Sequence, residues 1–403
     1  MISRRSVGKL AVAAAATHMT GRVLAQSTAP FKVALIVGRT GPFEAYAKQD
    51  ELGFRMGLEY LTGGTHTVDG RKVEIIVKDD QLRPDLSKAL LAEAYADDKC
   101  DIAVGAGGSS GTVAALSVAE EYKKILVVEP SAADSITGDK WNRYIFRVAR
   151  TTSLDSMATV SAFQGPLTVG FLTQDNVFGR DYVVAYKEAF ARLNKQARMG
   201  HEEYVPQGTT DFVAPFQRIV REMKDVPGRK VLVIPWGGEH PIRKLNELGP
   251  QRYGIELSPG GSLLSVMQTW REFEGLEGAT YYHYAFPKNK ANDWLVAEHM
   301  KRFKAPPDFF VCGGFSAASA IVTALRKAKS GDTEKLIAAM EGMSFETPKG
   351  AMTFRKEDHQ ALMPMYHFRM KKRAAQSNEW DILDLVREIP ASELDIPIRN
   401  KRG

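Results

Sequence analysis

The stretch Ile102–Ser117, IAVGAGGSSGTVAALS, joins a β-branched run to an alanine-rich segment of helical spacing through a turn of glycines and hydroxyls. It reads as strand, loop and helix start. At such a junction, unspent backbone N–H groups and the positive end of the helix dipole favour an anion. Glycines let a ligand approach the backbone, and Ser109, Ser110 and Thr112 can cap the helix or donate to a carboxylate. The turn is therefore either a capped connection serving the fold or a seat for a negatively charged group. Gly107-Gly108-Ser109-Ser110-Gly111 also fits the G-x-S-x-G nucleophile elbow of hydrolases. Such an enzyme needs an acid and then a histidine further on. His359 and His367 are the nominal candidates, but neither follows a strand with an acid before it, and no His-Gly oxyanion segment precedes the serine.

The same unit recurs along the chain. Lys32–Val37 leads into a turn and the helical spacing of Glu51–Tyr60, Val73–Val77 precedes a helix over Leu86–Ala96, and Ile125–Val128 runs into Glu129-Pro130-Ser131-Ala132-Ala133. Repeated strand-turn-helix units give an α/β, doubly wound parallel sheet, whose ligands sit beyond the carboxyl ends of the strands. Thr40–Tyr46, Gly107–Thr112 and Ser131–Ala133 converge on that edge. The alternation restarts after Ala149, with strands at Thr168–Leu172 and Lys230–Ile234, the latter running into Trp236-Gly237-Gly238-Glu239-His240. A second sheet is therefore expected, as the length of 403 residues also suggests.

At the start, the pair Arg4-Arg5, the apolar run Leu10–Ala16 and Val23-Leu24-Ala25 make residues 1–25 an export signal, with the paired arginines suggesting the twin-arginine route and a mature chain near Gln26 in the periplasm. Removing Arg4, Arg5, Lys9 and Arg22 takes the formal charge from +6 to +2, and no basic stripe interleaves with aromatics, so nucleic acid is not an expected partner. After the signal no run of about 18 apolar residues is expected to span a membrane. Cys100 and Cys312 read as buried free thiols.

The segments TGPFEAYAKQDELGF, VDGRKVEIIVKDDQLRP, IAVGAGGSSGTVAALSVAEEYKKILVVEPSAA and YIFRVA, followed by TQDNVFGRDY, GTTDF, WGGEHP and TPKGAMTF, resemble the periplasmic substrate-binding proteins of branched-chain amino-acid ABC transporters. The resemblance implies a type I periplasmic binding protein: two doubly wound lobes, three hinge crossings, and a ligand in the cleft between them. The crossings are expected near Arg147–Arg150, Tyr282–Phe286 and Phe345–Gly350. Lobe one is then 31–149 with 283–345, lobe two 150–282 with 346–375, and 376–403 packs on the lobes. It also implies a monomeric receptor that hands a small molecule to a membrane permease, without catalysis, metal or cofactor. A ligand-sensing receptor domain, or an esterase using Ser109, are the alternatives from other classes.

Carried over by position, the resemblance has Ser109, Ser110, Ser131, Ala132 and Ala133 hold the ligand's carboxylate, and Tyr46 and Phe178 cover it from the two lobes. Trp236, Glu239 and Phe310 are further candidates. Relatives that bind α-amino acids place an acid for the ammonium group in the turn that here reads Ser258-Pro259-Gly260-Gly261, and a hydroxyl where this chain has Ala133. An unpaired buried ammonium costs several kcal/mol, so unless Glu239 substitutes, the expected ligand is a carboxylate without an α-amino group. Phe43, Tyr46, Phe178, Trp236, His283, Tyr284 and Phe310 suggest an aromatic acid; a branched-chain or other amino acid is the alternative.

Overall fold

The computed structural model describes residues 29–41 and 43–400, so the expected export signal lies outside the described residues. The first sheet contains β1 (Phe31–Val37), β2 (Thr67–Val68), β3 (Arg71–Asp79), β4 (Ile102–Gly105), β5 (Ile125–Val128) and β6 (Ile145–Arg147), in the order β2-β3-β1-β4-β5-β6. All neighbours are parallel except β2 and β3. Four-residue strands such as β4 and β5 are wholly buried and apolar, as a parallel sheet covered by helices on both faces requires. The chain leaves β1 for β3 on one side and returns to β4 on the other. That reversal opens a crevice at the carboxyl ends of β1 and β4.

The second sheet repeats this logic with β7 (Leu167–Gln174), β8 (Arg198–Val205), β9 (Arg229–Val233) and β10 (Ile255–Ser258), all parallel in the order β10-β9-β7-β8. Its reversal lies between β7 and β9. The fold is thus the expected α/β arrangement of two parallel-sheet lobes, and four loops, after β1, β4, β7 and β9, occupy the two switch points.

The remaining strands are β11 (Glu277–Thr280), β12 (Ser344–Thr347), β13 (Gly350–Phe354), β14 (Ala361–Leu362), β15 (Met365–Met370) and β16 (Leu383–Ile389). They form two small antiparallel sheets, β12-β13-β14 and β11-β15-β16. The first leans on lobe one: Phe354 packs edge-on to Phe146 at 5.2 Å, and the Arg147 amide donates to His359 O at 3.0 Å. The second sits on lobe two, where Gly261 abuts β11. The last change of lobe therefore falls between β14 and β15, not at the expected Phe345–Gly350. Residues 346–362 stay with lobe one because their apolar side chains complete the edge beyond β6. In the tail, Arg399 reaches both Asp134 of lobe one, at 3.3 Å, and Glu188 of lobe two.

Helix Glu44–Thr62 begins earlier than the helical spacing of Glu51–Tyr60 placed it, and two further helices, Val177–Leu193 and Phe309–Ala328, start beside the cleft. Asn176 and Asp308 explain two of these starts, since each side chain accepts an amide of its helix's first turn. Tyr46, Phe178 and Phe310 consequently project from first helical turns, which fix their direction better than a loop would. Helix Phe309–Ala328 is also long and apolar enough, by length and composition, to cross a bilayer, contrary to expectation. Its apolar surface is spent inside lobe one, against helix Glu44–Thr62, and sixteen of its twenty residues are buried. Cys100 and Cys312 are buried free thiols.

Candidate functional site

The loops from the two switch points face each other across a cleft of about 810 Å³ including its mouth. On the lobe-one side, helix Ser109–Tyr122 starts directly after Gly108, and its first intrahelical bond runs from Thr112 N to Gly108 O. The amides of Ser109, Ser110 and Gly111 precede that bond and have no helical partner. All three residues line the cleft. Buried Asp80 holds the turn in place by accepting from Gly107 N at 2.9 Å, Leu82 N at 3.0 Å and Ser87 Oγ at 2.7 Å. A side chain at Gly107 would strike Asp80 and the backbone of Gly38, at 2.7 and 2.8 Å, so only glycine permits this approach.

The hydroxyls have different jobs. Ser109 Oγ accepts from Ala133 N at 3.2 Å, and among the described residues its own hydrogen is uncommitted. Ser131 Oγ accepts from Thr112 Oγ1 at 2.7 Å and donates to Ala106 O at 3.2 Å, so its hydroxyl braces the turn. Ala132 lines the cleft but Ala133 does not: Ala133 is buried and its amide is spent on Ser109.

The aromatic expectations divide. Tyr46 lies between Phe43 and Phe310, with ring centroids 4.8 and 4.4 Å away, and Phe178 and Trp236 face them from lobe two. His283 and Tyr284 pack with their rings tilted by 39°, centroids 4.6 Å apart, away from the cleft. Burial pulls the His283 pKa down to about 3, so this ring stays neutral. Glu239 is also misplaced by the sequence reading. It is exposed and lines a separate depression beside the cleft, with Lys244, because it follows the Gly237-Gly238 turn that carries the chain outward.

Besides Ser135 of lobe one, whose amide and hydroxyl both donate to Asp181 Oδ2 of lobe two, two polar contacts join the lobes beside the cleft. Gly238 N donates to Tyr46 Oη at 2.7 Å, and burial raises the phenol's pKa, keeping it protonated. Asp308, which caps helix Phe309–Ala328, also accepts from Leu264 N of lobe two at 2.9 Å. Gln174 fixes the lobe-two turn that meets Tyr46, since its amide group donates to Gly237 O at 3.0 Å and accepts from Gly237 N at 3.2 Å.

Sequence reasoning missed Arg150, Gln174, Asn176, Gln207 and Phe309, all of which line the cleft. Arg150 is its sole charged residue among those described. Its Nε donates to Asp155 at 2.7 Å and its guanidinium lies 4.7 Å over the Phe309 ring. Burial would lower its pKa, but neighbouring Asp155 more than offsets this and the pKa is raised. Among the described residues, no aspartate or glutamate and no histidine lines the cleft, His359 and His367 included.

The match to known proteins is decisive at the level of family: the model for periplasmic binding proteins covers residues 30–376. This chain belongs to the periplasmic binding protein family. It is non-enzymatic, and is a solute-binding protein of the kind that serves ABC transporters. A Rhodopseudomonas palustris protein described as an ABC-type branched-chain amino acid transporter is 57% identical, covers 92% of this chain and 100% of its own, and superposes with a TM-score of 0.79. A leucine-, isoleucine-, valine-, threonine- and alanine-binding protein of Pseudomonas aeruginosa is 27% identical over 80% of this chain and 85% of its own. A further R. palustris solute-binding protein, solved with 3,4-dihydroxybenzoic acid, is 26% identical over 91% of this chain and 98% of its own, with a TM-score of 0.76.

Proposed function

We propose that this binding protein is exported to the periplasm by residues 1–25 and delivers a small carboxylate to an ABC permease, closing its lobes on a solute that lacks an α-ammonium group. The observation that carries the reading is the chemistry of the cleft wall. Three helix-start amides without a helical partner and the Ser109 hydroxyl offer donors to a carboxylate, and among the described residues no acid lines the cleft to receive a cation. Glu239, the only substitute considered, lines the adjoining depression and not the cleft itself. An ammonium brought here would be desolvated against oxygen dipoles alone, at a cost of several kcal/mol. Phe43, Tyr46, Phe178, Trp236 and Phe310 suit an apolar or aromatic body. Ser109, Ser110, Ser131 and Ala132 would hold the carboxylate end.

The second reading is a branched-chain amino acid, favoured by the descriptions of the 57% and 27% identical relatives. Gln174, Asn176, Gln207 and backbone carbonyls would then have to take the ammonium. Matched solutes separate the two. Calorimetric titration of the mature protein with leucine and with 4-methyl-2-oxopentanoate compares the same carbon skeleton with and without the ammonium, and benzoate adds the aromatic case. The oxo acid or benzoate is expected to bind more tightly than leucine; tighter leucine binding overturns the proposal in favour of the amino acid.

A further inference from the structure

A second chamber, about 400 Å³ including its opening, lies in lobe two behind Phe178 and Trp236 and shares Arg150, Gly261 and Phe309 with the cleft wall. Its lining is unlike that of the main cleft. Tyr182 and Tyr186 bring phenols to it, and the Tyr182 hydroxyl donates to Asp155 Oδ2, the same oxygen that accepts from Arg150 Nε. Tyr186 is hydrogen bonded to Thr159. Two capacities are left over. Among the described residues, neither terminal nitrogen of Arg150 has a hydrogen-bond partner, nor does Asp155 Oδ1. These atoms are not sealed away, since the two side chains keep 14% and 15% of their surface exposed.

From this geometry we infer that the solute carries a hydroxyl group at the end remote from its carboxylate, and that this hydroxyl enters the chamber to accept from Arg150 and donate to Asp155. The inference rests on the carboxylate reading of the cleft. The Arg150–Asp155 pair has no net charge, so it gives no advantage to a second carboxylate, which Asp155 would repel, or to a terminal ammonium, which Arg150 would repel. A group that donates and accepts at once satisfies both leftover capacities. Such a bond is also discriminating, because a solute without the hydroxyl would displace water from a charged pair and return nothing.

The test uses matched acids on the mature protein: benzoate with 4-hydroxybenzoate, and hexanoate with 6-hydroxyhexanoate, each titrated calorimetrically beside leucine. In at least one pair the hydroxy acid is expected to bind about tenfold more tightly, the value of one hydrogen bond to a charged group. In Asp155→Asn that advantage, read as the ratio of the two affinities within a pair, is expected to fall at least about threefold. Should Asp155→Asn fail to fold, the wild-type pairs decide alone, because each pair differs by one hydroxyl. Equal affinities within both pairs overturn the chamber assignment and leave the carboxylate reading standing. Leucine binding with no response to any of the four acids overturns both, and so does the absence of any response.

Discussion

Tyr46 carries the hydrogen bond by which lobe one grips the Gly237-Gly238 turn of lobe two, so its hydroxyl is placed to stabilise the closed form that embraces a solute. Removing that oxygen leaves the ring between Phe43 and Phe310 untouched. Tyr46→Phe is therefore expected to weaken solute affinity about fivefold to tenfold while lowering the unfolding free energy by less than about 1 kcal/mol. Titration calorimetry and urea unfolding read the two quantities separately, and an unchanged affinity would show that this contact does not contribute to closure. Ser109→Ala removes the uncommitted hydroxyl and the acceptor of Ala133 N together. It is expected to cost about tenfold in affinity and about 1 kcal/mol in stability, with the melting temperature reporting the second effect. Among the cleft-lining residues, Gly107–Gly111 and Ser131–Ala132 were legible in the sequence because they follow parallel strands, whose carboxyl ends share one edge of the sheet. Arg150, Gln174 and Gln207 were not, since a polar residue beside a strand reads as surface until the second lobe covers it. Glu239 was misread for the complementary reason: the turn before it decides which way it faces, and two glycines leave that direction open.

The helices explain why the lobe-one half of the site is rigid. Helix Glu44–Thr62 places Tyr46 and helix Phe309–Ala328 places Phe310, and the two helices cross with almost no side chain between them. A Cβ at Gly53 would lie 2.1 Å from Val311 O, and one at Gly314 would lie 2.1 Å from Asp50 O. Gly53 and Gly57, four residues apart, share one helical face, but no local signal names the partner of that face, which lies more than 250 residues away in the chain. The same limit hid the third crossing, because β12 to β14 are placed by Phe146 and not by their own pattern. Gly53→Ala must push the helices apart or bend one of them, at a cost of about 1–3 kcal/mol or more. The expected result is a melting temperature lower by several degrees and weaker solute binding, since Tyr46 and Phe310 move with their helices. An alanine variant as stable as the wild type would mean that the crossing adapts without strain.

At the scale of the whole molecule, the crossings between lobes meet a buried group of ionisable side chains. Arg150 ends the expected first crossing, and Tyr281 directly precedes the expected second. Lys349 follows β12, and Asp50 and Glu129 belong to lobe one. Lys349 is 4% exposed, its ammonium lies 3.8 Å over the Tyr281 ring, and its nitrogen has no hydrogen-bond partner among the described residues. Burial pulls its pKa from the usual 10.5 down to about 7, with the nearby acids only partly opposing this. Burial drives Glu129 and Asp50 the other way, upward, so these carboxyls favour their neutral forms. The signs follow from proton binding. Between about pH 7 and 10.5 the unfolded chain holds a proton on Lys349 that the folded chain has released, so this group's penalty on stability shrinks as pH rises. Glu129 acts oppositely, since its folded form binds the proton more tightly, and the stability this contributes is present below the usual value of 4.5 and is lost as pH rises through the raised one. Lys349→Met removes one contribution and Glu129→Gln the other. Relative to wild type, Lys349→Met is expected to be most stabilised near pH 6 and to lose that advantage progressively as pH rises from about 7 toward 10.5. Urea midpoints across this range check the prediction, and an advantage independent of pH would mean that Lys349 keeps its proton in the folded protein.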